Sequence, residues 1–332
     1  PARKSKKPDQ SAKKRASVPH FISTKIPAII SMGYTFVERV MLIDVGTNRP
    51  GLVATVVPGQ GGRTVALRLP GGENLIDPGA TDWSRAADGA AARPDAEWSQ
   101  DFAQVVWLAP QAEFWAGQTV TTGRAADAMG WPPDPVTTRG AYEVIGRTPG
   151  LLRLRGPASP VWQIRLTKAW EAMPDGGIRF SAEARNISAR PIRKGLWFNF
   201  RARPEARVLV PVGSGQAWRV EGSGDLRLTP EDGWLVVQSP VLPPGAECAD
   251  AKVFVRAARG EIRIEAAGGW LELAFPLASE SGVSEGHAPV EIYRKVNRGS
   301  WSILEVEQHA PCVTLAPGES MRHEETWRWR QG

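Results

Sequence analysis

No stretch of this chain holds an apolar period of 3.6 residues over three turns, and that absence limits its fold more than any other feature. What recurs instead is a short β-branched or alternating run closed by glycine or proline. Residues 52–57, 64–69, 104–108 and 151–155 have this form, as do 195–203, 207–212, 234–238, 251–257, 261–266, 270–275 and 291–295. Between 161–173 and 178–186 stands Pro174-Asp175-Gly176-Gly177, whose glycines supply the positive φ of a tight hairpin turn. Arg259-Gly260 and Asn297-Arg298-Gly299 read as two more hairpin turns. Ala316-Pro317-Gly318-Glu319 feeds a last strand with Trp327 and Trp329 on its core face. Residues 84–91 alone read as a short helix. Many strands with few or no helices place the chain in the all-β class, as a large antiparallel sandwich or barrel.

Charge narrows the function. The net charge of +6 is concentrated in residues 1–15, where seven basic side chains face Asp9 alone. The rest carries 34 basic and 34 acidic residues, so no nucleic-acid surface is expected on the folded body. Residues 1–27, rich in Lys, Ser and Pro, are read as a disordered basic tail, and residues 28–332 as one domain. No apolar run approaches the ~20 residues of a membrane span. Ser17-Val18-Pro19-His20 interrupts any signal-peptide pattern. A cytoplasmic location is expected of a full-length chain, a periplasmic or secreted one of a processed chain. Cys248 and Cys312 make no disulfide framework, and the four histidines are scattered. No metal or cofactor is expected, and a histidine metal centre would have to be assembled by tertiary folding.

Alternation gives the strand at 302–309 two unlike faces: Leu304 and Val306 on one, Glu305, Glu307 and His309 on the other. The strand at 195–203 is divided the same way, with Leu196, Phe198 and Phe200 against Trp197, Asn199, Arg201 and Arg203. An indole, an amide and two guanidinium groups on one face can grip a sugar, including an acidic one. A surface salt-bridge ladder on solvated strand faces gives the same pattern. Among the 14 tryptophans, Trp107, Trp115 and Trp131 fall in or beside the irregular stretch 107–135, together with Gln111. Loops over a rigid sheet often carry binding residues, so these four join the candidates.

Several motifs in order resemble the galactose mutarotase-like superfamily. They are GGRTVALRLPGGENLIDPG from Gly61, WLAPQAEFW from Trp107, NIS at 186–188, LWFNF from Leu196, and LEVEQHAP from Leu304 followed by TLAPGES. The similarity spans about residues 36–330 and is greatest to a bacterial domain-of-unknown-function branch with the aldose-1-epimerase-type fold. It implies a β-supersandwich with a concave sugar-binding face. It also implies a general base at Glu305, with Glu307 where the epimerases carry glutamine. Their acid histidine corresponds to Gly195, which has no proton to give, and a late aspartate of theirs to Asp250.

His309 is a poor substitute for that acid if Glu305 is the base, because four residues of strand separate them by about 13 Å. Glu307 and His309, about 6.6 Å apart by the same rise, fit one ring better. The chain is therefore read as a carbohydrate-binding protein for a mono- or oligosaccharide. A sugar-active enzyme with Glu305 or Glu307 as base is the alternative, and a structural sandwich without a ligand is a third reading.

Overall fold

Most of the alternating runs are strands in the computed structural model, which describes residues 42–46, 50–69, 72–83, 103–114, 134–214, 217–222, 224, 226–238, 246–266, 268–299 and 302–332. The basic tail and the helix read at 84–91 lie outside these residues. In chain order the strands begin with β1 (Ile43–Val45), β2 (Val53–Val57), β3 (Arg63–Arg68) and β4 (Val105–Ala109). After a five-residue helix, α1 (Pro135–Arg139), come β5 (Glu143–Thr148), β6 (Leu151–Ala158), β7 (Ile164–Ala172), β8 (Ile178–Asn186) and β9 (Ile192–Arg201). Next are β10 (Val208–Pro211), β11 (Trp218–Gly222), β12 (Arg227–Glu231), β13 (Trp234–Gln238) and β14 (Cys248–Val255). The last are β15 (Glu261–Ala266), β16 (Gly269–Ala274), β17 (Val290–Asn297), β18 (Ile303–His309), β19 (Val313–Leu315) and β20 (Ser320–Gln331).

These strands form three sheets with antiparallel pairing. A ten-stranded sheet runs β12-β13-β10-β15-β16-β20-β8-β7-β6-β5, and β1-β2-β3 make a small one. A seven-stranded sheet runs β11-β14-β17-β18-β9, with β4 and β19 also pairing with β9. The Asp-Gly turn joins β7 and β8 as its residues dictate, with Gly176 at φ +82°. Asn297-Arg298-Gly299 likewise lies between the paired β17 and β18. Arg259-Gly260 does not make a hairpin. It joins β14 to β15, which belong to different sheets, so this glycine serves a crossover.

The two large sheets meet through the apolar faces that alternation marked. Phe198 lies 5.1 Å from Phe180 of β8, and Phe200 lies 6.0 Å from Trp327 of β20, ring centre to ring centre. Trp170 and Trp327 flank Phe180 at 5.1 and 5.6 Å. Burying each such side chain is worth about 1.5–3 kcal/mol, with about 0.5–1.5 more for each aromatic pair. Leu304 and Val306 are buried in the same core. Because successive strand residues point to opposite faces, this packing turns Trp197, Asn199, Arg201, Glu305, Glu307 and His309 to the far side of the seven-stranded sheet.

Candidate functional site

Register assembles the polar face. Across β9, β18, β17 and β14, Arg201 stands opposite Glu305, Glu305 opposite Tyr293, and Tyr293 opposite Lys252. One step along, Asn199, Glu307, Glu291 and Phe254 form the neighbouring row. His309 pairs with Trp197, and Trp197 with Trp107 of β4.

The side chains close into a network. Arg201 is ion-paired with Glu305, and its Nε donates to Asn199 Oδ1 at 3.2 Å. Asn199 Nδ2 donates to Glu307 Oε1 at 2.9 Å. Lys252 Nζ bridges Glu307 and Glu291 at 2.7 and 2.6 Å, 5.0 Å above the Trp197 ring. The other Glu291 oxygen accepts from Ala288 N at 2.8 Å and contacts His287 Nδ1 at 2.9 Å and His309 Nε2 at 3.4 Å. Tyr293 donates to Asp250 at 3.3 Å.

These groups are not a solvated strand face. Glu307, Glu291 and Asn199 have no exposed surface, and His309 retains 2%. Arg201 and Glu305 keep 8% each, so the network opens toward solvent at their end. The sequence pattern cannot register this, because the charges that neutralise β18, Arg201 and Lys252, come from two other strands.

Burial sets the protonation states. Desolvation raises Glu307 well above the usual carboxylate range, against the pull of Lys252. Desolvation also acts on Glu291, but the two histidines and Lys252 outweigh it and hold that carboxyl well below 4.5. Lys252 is desolvated too, yet its two glutamates raise it further above an ordinary lysine. Burial pulls His309 down to about 4, so its imidazole is neutral.

Of the residues expected at the site, Glu305, Glu307, His309, Trp197, Asn199 and Arg201 come together. Trp107 joins them edge-on to Trp197 at 5.1 Å, from a strand rather than a loop. Trp197 is 1% exposed, packed by Trp107, His309 and His287, and is therefore no open platform for a sugar ring. Arg203 lies past the end of β9, where it pairs with Glu73 and Glu205 instead. Gln111 sits half-buried in a short 3-10 turn after β4. Trp115 and Trp131 lie outside the described residues. The sequence reading missed Lys252, His287, Glu291 and Tyr293. For the last two, the alternation Glu291-Tyr293-Lys295 was the available signal.

Gly195 is closed to any acid. A Cβ there would meet Cys312 Sγ at 2.8 Å and Ala310 O at 3.0 Å, so the corner between β18 and β19 fills the place of a histidine.

Two sheets packed face to face with a polar outer face on one define a galactose mutarotase-like fold. The fold is similar to that of the Slr1438 protein from Synechocystis sp. PCC 6803, with TM-score 0.54 and 12% identity over 89% of this chain and 97% of that one. It is also similar to a galactose mutarotase-like protein from Lactobacillus casei, with TM-score 0.50 and 9% identity over 87% of this chain and all of that one. The family described as Domain of unknown function (DUF4380) matches residues 43–330, and the chain belongs to it. A comparison with curated protein sequences returns no match.

Proposed function

We propose that the polar face of the seven-stranded sheet is a carbohydrate site and that the chain binds a sugar without mutarotase chemistry. The observation that carries this reading is the row Arg201–Glu305–Tyr293 at the solvent-facing end of the buried network. A sugar hydroxyl both donates and accepts, and here a carboxylate acceptor and a guanidinium donor are held together in advance. Groups fixed before binding lose little freedom on binding, which favours affinity. The half-buried Tyr293 offers a ring for the C–H face of a pyranose. Arg201 is matched by Glu305, and Lys252 by Glu291, so a neutral aldose suits the site better than an acidic one.

A second reading, a sugar-active enzyme, draws on one observation. Burial raises the Glu307 carboxyl two residues from the ion-paired Glu305, and paired carboxyls in unlike environments are what acid–base catalysis uses. Against it, Glu307 is fully enclosed and Gly195 has no room for the missing acid.

A thermal-shift screen of the chain with galactose, glucose and galacturonate tests the binding claim, and polarimetry on freshly dissolved aldoses tests the enzymatic one. The expected result is stabilisation by a neutral sugar with no acceleration of anomer exchange. Unchanged melting with all three sugars overturns the reading, and accelerated exchange transfers it to the enzyme.

A further inference from the structure

Beside the proposed sugar site, two histidines and a glutamate converge at the inner end of the network. His287 Nδ1 lies 2.9 Å and His309 Nε2 3.4 Å from the same Glu291 oxygen, and all three atoms fall within 4.8 Å of one another. No sequence spacing announces the group. His287 and Glu291 are four residues apart across the entry to β17, while His309 comes from the end of β18.

We propose that His287, Glu291 and His309 bind a divalent first-row transition metal such as Zn²⁺. Zinc at 2.0–2.1 Å from each of four tetrahedral ligands places those ligands about 3.3 Å apart. The two glutamate–histidine separations, 2.9 and 3.4 Å, already bracket that edge. The histidine–histidine edge has only to shorten from at most 4.8 Å, by a swing of the His287 ring.

A second observation points to a ligand independently of the clustering. His309 has a side chain with no exposed surface, and neither ring nitrogen makes a well-aligned hydrogen bond, Nε2 having only its 3.4 Å approach to Glu291. A buried imidazole in that state forgoes the bonds that water would give it, unless something else takes a lone pair. Imidazole is a common ligand for zinc, copper, nickel and iron.

The surroundings suit the role. Trp197 packs against both imidazoles, at 4.8 Å from His309 and 5.1 Å from His287. Lys252 holds the second Glu291 oxygen at 2.6 Å and orients the carboxylate, as outer partners of metal ligands do. Metal binding replaces the contact between His287 Nδ1 and Glu291, and Lys252 tempers the affinity by its charge.

The test uses the full chain stripped with a chelator and titrated calorimetrically with Zn²⁺, together with zinc-edge anomalous diffraction. The proposal expects one Zn²⁺ per chain with a Kd below roughly 100 μM. It expects the anomalous peak between the three side chains and at least a tenfold loss of affinity in His287→Ala. His287 belongs to a loop, so this variant is chosen to fold. If it does not, the wild-type peak decides alone. No saturable Zn²⁺ uptake, a peak elsewhere, or an undiminished affinity in a folded His287→Ala overturns the site, leaving the histidines as struts that fix Glu291.

Discussion

Gly195, Glu325 and the Arg201–Glu305 pair show how single positions set the chemistry of this chain. Gly195→His restores the residue type found in the epimerases but drives a side chain into Cys312 and Ala310. The variant is predicted to melt several degrees lower and to gain no mutarotase activity in polarimetry. A gain of activity at unchanged stability would show the corner to be roomier than its geometry. Glu325 lies between the large sheets, where its carboxyl takes a hydrogen bond from Gln308 at 2.5 Å. Gln308 also contacts His323 at 3.2 Å, and burial keeps that imidazole near 4 and uncharged. Burial pushes Glu325 up to about 8 from 4.5. The unfolded chain releases this proton more readily. Its contribution to stability is therefore full below about pH 4.5 and is lost as pH rises toward 8, at roughly 1.4 kcal/mol per unit. Glu325→Gln is predicted to flatten the melting profile between about pH 6.5 and 8, above the window in which the buried histidines act, and to exceed wild type at pH 8. A parallel profile for the two proteins refutes the assignment. Removing one partner of the enclosed Arg201–Glu305 pair, as in Arg201→Met, costs about 3–5 kcal/mol at full burial, and less here because each partner keeps some exposure. A double-mutant cycle on urea midpoints measures it.

At the scale of elements, the faces of β9 and β18 were legible, because a period of two needs nothing beyond the strand itself. Leu196, Phe198 and Phe200 fixed the core side, and the polar set followed. The fate of that polar set was not legible. Whether Glu307 meets water depends on Asn199, Lys252 and Glu291, each on a different strand. Lys252 reads as an ordinary surface lysine between Ala251 and Val253. The short edge strands β1, β11, β12 and β19 also escaped, since few residues repeat before each ends, and β5 carries a β-bulge between Val144 and Gly146. Arg259-Gly260 carried a hairpin's residue types but sits at a crossover. A Cβ on Gly260 would stand 1.9 Å from Phe275 O, so Gly260→Ala is predicted to lower stability by more than about 2 kcal/mol in urea unfolding. A neutral effect would mean that the turn is as open as a hairpin loop.

For the whole molecule, the sequence conveyed the all-β class and the likeness to the mutarotase fold through ordered motifs that the two sheets now connect. Its one-domain reading makes residues 1–27 dispensable. Deleting them is predicted to shift the melting temperature by less than a degree or two, and a larger loss would mean that the tail is docked. The central claim concerns the row Arg201–Glu305–Tyr293. Its most direct test is calorimetric titration of a neutral aldose, galactose first, into the wild-type chain and Glu305→Gln. Loss of a charged acceptor costs about 1.5–3 kcal/mol, so the account predicts saturable wild-type binding weakened roughly 10–100-fold in the variant. Equal affinities in the two proteins, or no heat of binding in either, would contradict it.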